Sequence, residues 1–260
     1  MEIKKINITE NKYVFEISGI NPAMANTLRR LMFVEVPTLA IQTVNFIKNT
    51  SVLYDEMVAH RLGLIPIKTD LKSYNLKEEC NCKGKGCALC ELKFKLKTEG
   101  EGYIKSSELK SKDPKCVPAY DDIPITYLNK DQKLELEATA ILGKGKDHTK
   151  FSPGLVYYKA YPIFKIDSVS NTKEIIESCP KKILKEENKK IKVIDIEKCD
   201  LCDACVEASN GKITLTPSKD KFIFYIESWG QLSPKEIFLK ALDLLDEKLI
   251  DFDKKLKKLK

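Results

Sequence analysis

Apolar and polar residues alternate from the first positions of the chain. Ile6 and Ile8 are followed by a turn-forming Glu10-Asn11-Lys12, and Tyr13, Phe15 and Ile17 then alternate again, which predicts a β-hairpin. Asn21-Pro22 predicts a helix start, because asparagine can cap free N–H groups and proline fits the first helical position. The segment PAMANTLRRLMFVE puts Met24, Leu28, Leu31 and Met32 on one side of that helix, and Pro37 stops it. TLAIQTVNFI, residues 38–47, is β-branched and apolar and reads as a buried strand.

The middle of the chain carries shorter strand-like runs, LKFKLKT, KLELEATAIL and LVYYKAYPIFKI, separated by turn-rich or charged pieces. Residues 77–90 form a stretch of cysteine, glycine and lysine with no apolar period. Beyond Asn171 the pattern changes to a short helix, a Cys-Pro, a charged linker, a strand (IKVIDI) and a cysteine group. Two strand-like runs follow, KITLTP and KFIFYIES.

The C-terminal pattern is the most regular. Ser233-Pro234-Lys235-Glu236 is a capping box with proline at the first helical position. Phe238, Leu242, Leu245, Leu249, Phe252, Leu256 and Leu259 then recur with spacings of four and three, a heptad seam. Ile237, Ala241 and Leu244 widen the stripe, so the helix is expected to pack on its own domain and to offer a ridge to a partner helix.

Composition changes this picture little until the cysteines are counted. The 260 residues carry 45 basic and 38 acidic side chains, a net charge of +7, with 43% hydrophobic and 32% charged residues. That is a mixed, solvated surface without the concentrated basic stripe of a nucleic-acid reader. No apolar run approaches the ~18–20 residues of a membrane span, and no signal-peptide core is visible, so a cytoplasmic protein without membrane contact is expected. Nine cysteines in a reducing compartment argue for metal binding rather than a disulfide framework. Eight fall in two tight groups, and Cys116 stands apart as a free thiol.

Cys199, Cys202 and Cys205 reproduce the C-x2-C-x2-C triplet of a bacterial ferredoxin motif, whose closing Cys-Pro ligates the companion cluster in two-cluster proteins. Cys179-Pro180 stands where that remote ligand belongs. The triplet's own closing pair would fall at Ser209-Asn210, and the companion triplet at Val169, Thr172 and Ile175, none of them cysteine. One complete ligand set is present and the other is wholly lost. The expected cofactor is one iron–sulfur cluster, 4Fe-4S or, with one ligand weakly held, 3Fe-4S. A zinc ribbon on the same four cysteines is the competing reading, although such sites favour two C-x2-C pairs.

Cys80, Cys82, Cys87 and Cys90 place four thiols in eleven residues, with Gly84 and Gly86 free to take positive φ. A structural zinc is expected here, its thiol pKa values lowered by Lys77, Lys83 and Lys85. A metal-free thiol cluster on a mobile loop is the alternative. No nucleophile, general base or carboxylate pair stands out: His60, His148, Asp55-Glu56 and Asp121-Asp122 read as surface, packed or capping residues, and GKGKDH does not fit a phosphate loop.

Three stretches resemble one family. Asn21 to Ile41 looks like the alpha-motif helix and following strand, Leu53 to Ile67 (LYDEMVAHRLGLIPI) like a second signature, and Gly143 to Tyr158 (GKGKDHTKFSPGLVYY) like a third. They mark a resemblance to the D subunit of archaeal DNA-directed RNA polymerase, counterpart of the N-terminal region of the bacterial alpha subunit. The resemblance implies an α+β protein with a discontinuous dimerisation domain (1–45 plus 223–260), a β-rich insert domain (46–166) and a ferredoxin-like iron–sulfur domain (167–222). It implies a non-catalytic scaffold that pairs with the small L subunit and nucleates assembly of the large catalytic subunits, contacting the other small subunits and touching DNA only through the complex. Leu28, Leu31, Phe238, Leu242, Leu245, Leu249 and Phe252 would form the pairing interface. An electron-transfer protein with an appended domain is the alternative, and the basic charge together with the length unrelated to the cluster weighs against it.

Overall fold

A computed structural model describes residues 1–169, 171–188 and 190–259 of the chain. The expected hairpin is present as β1 (Glu2–Ile8) and β2 (Lys12–Ser18). Helix α1 (Pro22–Arg30) starts where the sequence places it, the Asn21 side chain accepting the Met24 N–H at 2.8 Å. Its continuation departs from an α-helix. Residues Leu31–Glu35 widen into a π turn, closed by the Val36 N–H donating to the Leu31 carbonyl five residues back at 3.2 Å. Pro37 has no N–H and disfavours a helical Val36, so the chain leaves as strand β3 (Thr38–Asn49).

The rest runs through α2 (Asp55–Gly63), β4 (Glu91–Glu99), β5 (Gly102–Lys105), β6 (Lys110–Ser111), β7 (Pro124–Leu128), β8 (Lys133–Gly143) and β9 (Gly154–Ile166). Then come α3 (Thr172–Ser178), β10 (Leu184–Glu187), β11 (Lys190–Val193), α4 (Ala204–Ala208), β12 (Ile213–Ser228) and α5 (Pro234–Lys257). The fold is thus mixed α and β and dominated by sheets. The chain forms two compact units, one of Met1–Asn7, Val14–Asn26 and Tyr157–Tyr225, the other of Ile8–Tyr13, Thr27–Val156 and Ile226–Lys260.

In the first unit lies most of a four-stranded sheet in the order β1-β2-β12-β9. Its rings are packed together: Phe15 stacks on Phe224 at 5.6 Å, and Tyr158 meets both Phe222 and Phe224. The antiparallel pair β10-β11, with α3 and α4, encloses a small core of Ile175, Ile183, Leu184, Ile191 and Ile213, in which Cys179, Cys199 and Cys205 are also buried. Two expectations are corrected here. KITLTP and KFIFYIES are one continuous strand, β12, with Pro217 inside it, and the Asp220 carbonyl accepts both the Gly19 and Ile20 N–H groups across an irregular pairing. IKVIDI is strand only to Val193, because Ile196–Lys198 turn to deliver Cys199.

The second unit holds the larger core, built on a sheet in the order β3-β8-β4-β6. Strict alternation in β8 turns Leu134, Leu136, Ala138, Ala140 and Leu142 inward, against Leu92, Phe94 and Leu96 of β4. Val58 and Leu62 of α2 belong to the same buried cluster. Each of the leucine, valine and phenylalanine side chains fully buried contributes roughly 1.5–3 kcal/mol. The outward positions are charged and matched across the ladder, with Lys95 beside Glu137, Lys97 beside Glu135 and Glu99 beside Lys133 in register.

Candidate metal centres

The Cys80–Cys90 loop lies in the second unit, and its thiols converge. Among the described residues it is the only set of three or more His, Cys, Asp or Glu whose ligand atoms all lie within 4.8 Å of one another. Sulfur separations are 3.5 Å for Cys80–Cys87, 3.6 Å for Cys82–Cys90 and 3.8 Å for Cys87–Cys90. An ion bound tetrahedrally at about 2.3 Å from each thiolate has edges of about 3.8 Å, so the loop already has the dimensions of a four-thiolate metal site. Lys83, Gly84 and Gly86 take positive φ (51°, 78° and 90°), which folds so short a segment back on itself. The Cys87 N–H donates to the Cys90 sulfur at 3.3 Å.

Electrostatics in the loop differ from the expectation drawn from its lysines. Burial pushes the Cys82 thiol up, but hydrogen bonds from Cys90, the Gly86 N–H and the other thiols outweigh it and bring Cys82 to about 7. Cys90 is pushed up to about 12, chiefly by burial. Lys77 does not lead this effect, because its ammonium is held by Glu91 at 2.8 Å. Neighbouring sulfur and backbone donors, rather than surface lysines, prepare the first thiolate. The four can hold a metal ion.

The other four cysteines lie in the first unit and are arranged differently. Cys179 follows α3, Cys199 and Cys202 come from the turn between β11 and α4, and Cys205 is the second residue of α4. They surround a cavity whose walls include Phe164, Ile183, Leu184 and Leu215. Among the described residues no three of these thiols lie within 4.8 Å of one another, which distinguishes them from the converged Cys80–Cys90 set. Leu201 and Asp203 adopt left-handed φ of 56° and 59°, bending the triplet loop so that its thiols share one side. Cys179, Cys199 and Cys205 are buried while Cys202 is exposed. Burial holds the Cys199 and Cys205 thiols above the ordinary range, so only a bound cation would leave them deprotonated there. Cys116, buried and pushed up to about 11 chiefly by burial, is an inert thiol.

Sequence reasoning missed the groups that hold the triplet. Lys159 of β9 donates to the Cys199 carbonyl at 2.9 Å and lies 3.7 Å from Asp200, which Lys181 also pairs at 2.9 Å. The Tyr225 hydroxyl donates to the Glu197 carbonyl at 2.9 Å. A lone lysine inside the aromatic run LVYYKAY was the available signal.

The partner face expected from the sequence lies on the C-terminal helix. The Ser233–Glu236 capping box is formed as read. Ile237, Ala241 and Leu244 are buried, whereas Phe238, Leu242 and Leu245 are half-buried and Leu249 and Phe252 are 55% and 59% exposed. Leu28 and Leu31 are only 2% and 6% exposed, covered by the chain's own core, and so leave little surface for a partner. The third signature grips the first. The Lys146 N–H donates to the Val34 carbonyl at 3.0 Å and the Ser152 hydroxyl to the Phe33 carbonyl at 2.7 Å, satisfying carbonyls at the end of the π turn. His148 caps its own short turn, its Nδ1 accepting the Lys150 N–H, with no phosphate-loop geometry.

Comparison with known proteins matches residues 41–169 to the family described as the RNA polymerase Rpb3/RpoA insert domain. The chain is 40% identical over 250 residues to the DNA-directed RNA polymerase subunit Rpo3 of Methanosphaera stadtmanae, covering 92% of each chain. It is 39% identical to the subunit Rpo3 of Methanothermobacter thermautotrophicus, covering 95% of this chain and 96% of that one. It is 35% identical to the same-named subunit of Archaeoglobus fulgidus, covering 97% of each.

Proposed function

The chain belongs to the Rpo3 family of DNA-directed RNA polymerase subunits, and from that premise we propose that it is the alpha-like assembly subunit of the enzyme, a scaffold that carries none of its chemistry. It pairs with the small L subunit, and the pair collects the two large catalytic subunits and the remaining small ones. DNA is met only through that complex, in the cytoplasm. The observation that carries this reading is α5. One of its faces is buried in its own unit, while a second apolar line, Leu249, Phe252 and Leu256, stands exposed on the same helix. An exposed line of large apolar side chains marks a partner surface. Phe238, Leu242 and Leu245 continue it as half-covered positions, and the expected interface also takes in Leu28 and Leu31, although both are buried.

The three-part organisation follows the same reading: residues 1–45 with 223–260 for pairing, 46–166 as insert, and 167–222 as a ferredoxin-like iron–sulfur domain. Cys179, Cys199, Cys202 and Cys205 fit one iron–sulfur cluster, because the triplet and the remote Cys-Pro ligand, far apart in the chain, line one apolar-walled cavity. The cluster, when bound, supplies a one-electron centre and a cross-link between ligands twenty residues apart in the chain. The residues around it hold two separate segments in one core, so its role is structural or regulatory. Cys80, Cys82, Cys87 and Cys90 fit a structural zinc ion, whose tetrahedral edge the sulfur separations match.

Reconstitution of the polymerase from separately purified subunits tests the scaffold role. Omitting this chain is expected to leave the two large subunits unassociated and transcription absent, and adding it with the L subunit to restore both. A large-subunit complex that forms and transcribes without this chain would overturn the reading.

A further inference from the structure

The cluster reading leaves one charge unexplained. Lys159 points from β9 toward the cysteine loop with its side chain only 21% exposed. Taking an ammonium group out of water is costly unless it meets compensating charge. Its one close hydrogen bond is to a neutral carbonyl, that of Cys199, at 2.9 Å. Its carboxylate neighbour Asp200 is 3.7 Å away and closer to Lys181, at 2.9 Å. The Tyr225 ring centroid lies 5.5 Å from the ammonium. These contacts alone under-compensate a half-buried cation.

The three charged residues also occupy defined places in the ligand set. Lys181 lies two residues after Cys179, Asp200 directly follows Cys199, and Lys159 belongs to the sheet behind both. Asp200 therefore bridges the segment of the remote ligand and the segment of the triplet, and Lys159 ties the bridge to β9. Tyr225 of β12 fixes the turn from the other side through the Glu197 carbonyl.

We propose that Lys159, Asp200 and Lys181 form an electrostatic clasp that positions Cys179 against the triplet and sets both the retention and the reduction potential of the iron–sulfur cluster. The proposal rests on the cluster reading above. A cluster ligated by four thiolates is anionic and is the largest local charge in its site, so it supplies the compensation that Lys159 lacks. In return, a nearby cation favours the reduced, more negative state of the cluster, since net charge and hydrogen bonds around the sulfurs set such potentials. Lys159 is a positioning residue and touches no substrate.

The test uses the full chain, purified without oxygen together with its partner subunit, as wild type and as Lys159→Met, Lys159→Arg, Lys181→Met and Asp200→Asn. Iron and sulfide content, the rate at which bathophenanthroline disulfonate bleaches the cluster absorption, and the midpoint potential are measured. Lys159→Met is expected to lose its cluster faster by on the order of tenfold, the usual size for a group supporting a metal ligand. Its ratio of reduced to oxidised cluster at fixed potential is expected to fall about tenfold, equal to ~59 mV for a one-electron couple. Lys159→Arg keeps the charge and is expected to restore both readouts, while the more exposed Lys181→Met shifts both in the same direction by less. Full cluster content in Lys159→Met with unchanged bleaching and potential would overturn the clasp, as would faster bleaching with an unmoved potential. A wild-type chain that holds neither iron nor sulfide would instead overturn the cluster reading on which the clasp depends. Should Lys159→Met fail to fold, the potentials of Lys181→Met and Asp200→Asn decide the question.

Discussion

Lys248 of the C-terminal helix reaches the Glu35 carboxylate at 2.8 Å, joining that helix to the end of the π turn 213 residues earlier in the chain. Lys144 of the third signature reaches the other carboxylate oxygen at 3.6 Å. Three stretches far apart in sequence thus share one half-buried carboxylate.

The first prediction follows from that ion pair. Burial alone would raise the Glu35 carboxyl, but Lys248, Lys144 and Lys146 outweigh it and hold it below the ordinary glutamate value. A carboxylate depressed in the folded state contributes stability above its unfolded pKa and loses it as pH falls through the folded one. Glu35→Gln is therefore expected to cost about 1 kcal/mol near pH 7 and to cost nothing at a pH below the folded pKa of Glu35. Denaturant unfolding of both chains from pH 7 down to pH 3 checks it; a cost that stays constant with pH would refute the assignment.

Gly145 supports the same corner by having no side chain. A Cβ there would meet the Phe33 carbonyl oxygen, and also the Ser152 hydroxyl at 3.0 Å. Gly145→Ala is expected to destabilise by about 1–3 kcal/mol, the cost of overpacking a fixed backbone. Loss of the Lys146–Val34 hydrogen bond, seen as faster amide exchange at Lys146, would accompany it. An alanine chain of unchanged stability and exchange would show that the signature loop is not fitted to the π turn.

The Cys80–Cys90 loop has no apolar core of its own, so its order should depend on metal. Purified chain is expected to carry one zinc at this loop, and Cys82→Ser to carry none. Metal removal should expose the loop to protease while leaving the sheet of β3, β8 and β4 protected, because that core is built from its own buried side chains. Binding must displace protons from thiols as high as Cys90, so zinc affinity should weaken as pH falls. Equal protease resistance with and without metal would leave the site without a structural role.

How far the sequence disclosed this molecule depended on the range of the interactions involved. The Ser233–Glu236 capping box and the α5 stripe are local and were legible, as was the Asn21 cap. Cysteine spacing is local too, so both thiol groups could be read, but not that only the Cys80–Cys90 thiols, among the described residues, all converge within 4.8 Å. What escaped was set by distant partners. The π turn at Leu31–Glu35 is stabilised by carbonyl acceptors that meet residues 146 and 152. The covering of Leu28 and Leu31 depends on tertiary packing, and Lys159 acquires meaning only when β9 meets the cysteine turn. Pro217 reads as a break in any single strand, yet β12 runs through it.

Exposed Leu249, Phe252 and Leu256 carry the pairing argument, because changing them disturbs nothing buried. Replacing all three with serine or glutamine is expected to leave the thermal midpoint of the isolated chain within a few degrees of wild type, since surface substitutions are usually within about 0.5 kcal/mol. The same variant is expected to lose its small partner in co-expression. Retained pairing would place the partner elsewhere.

The central claim is that this chain exists to hold polymerase subunits together, and native mass spectrometry of the tagged, full-length chain co-expressed with the small and large subunits tests it most directly. The account predicts a one-to-one species of this chain with the small subunit, and a larger species in which that pair carries the two large subunits. A chain recovered only as a free monomer, with the large subunits assembled without it, would contradict the account.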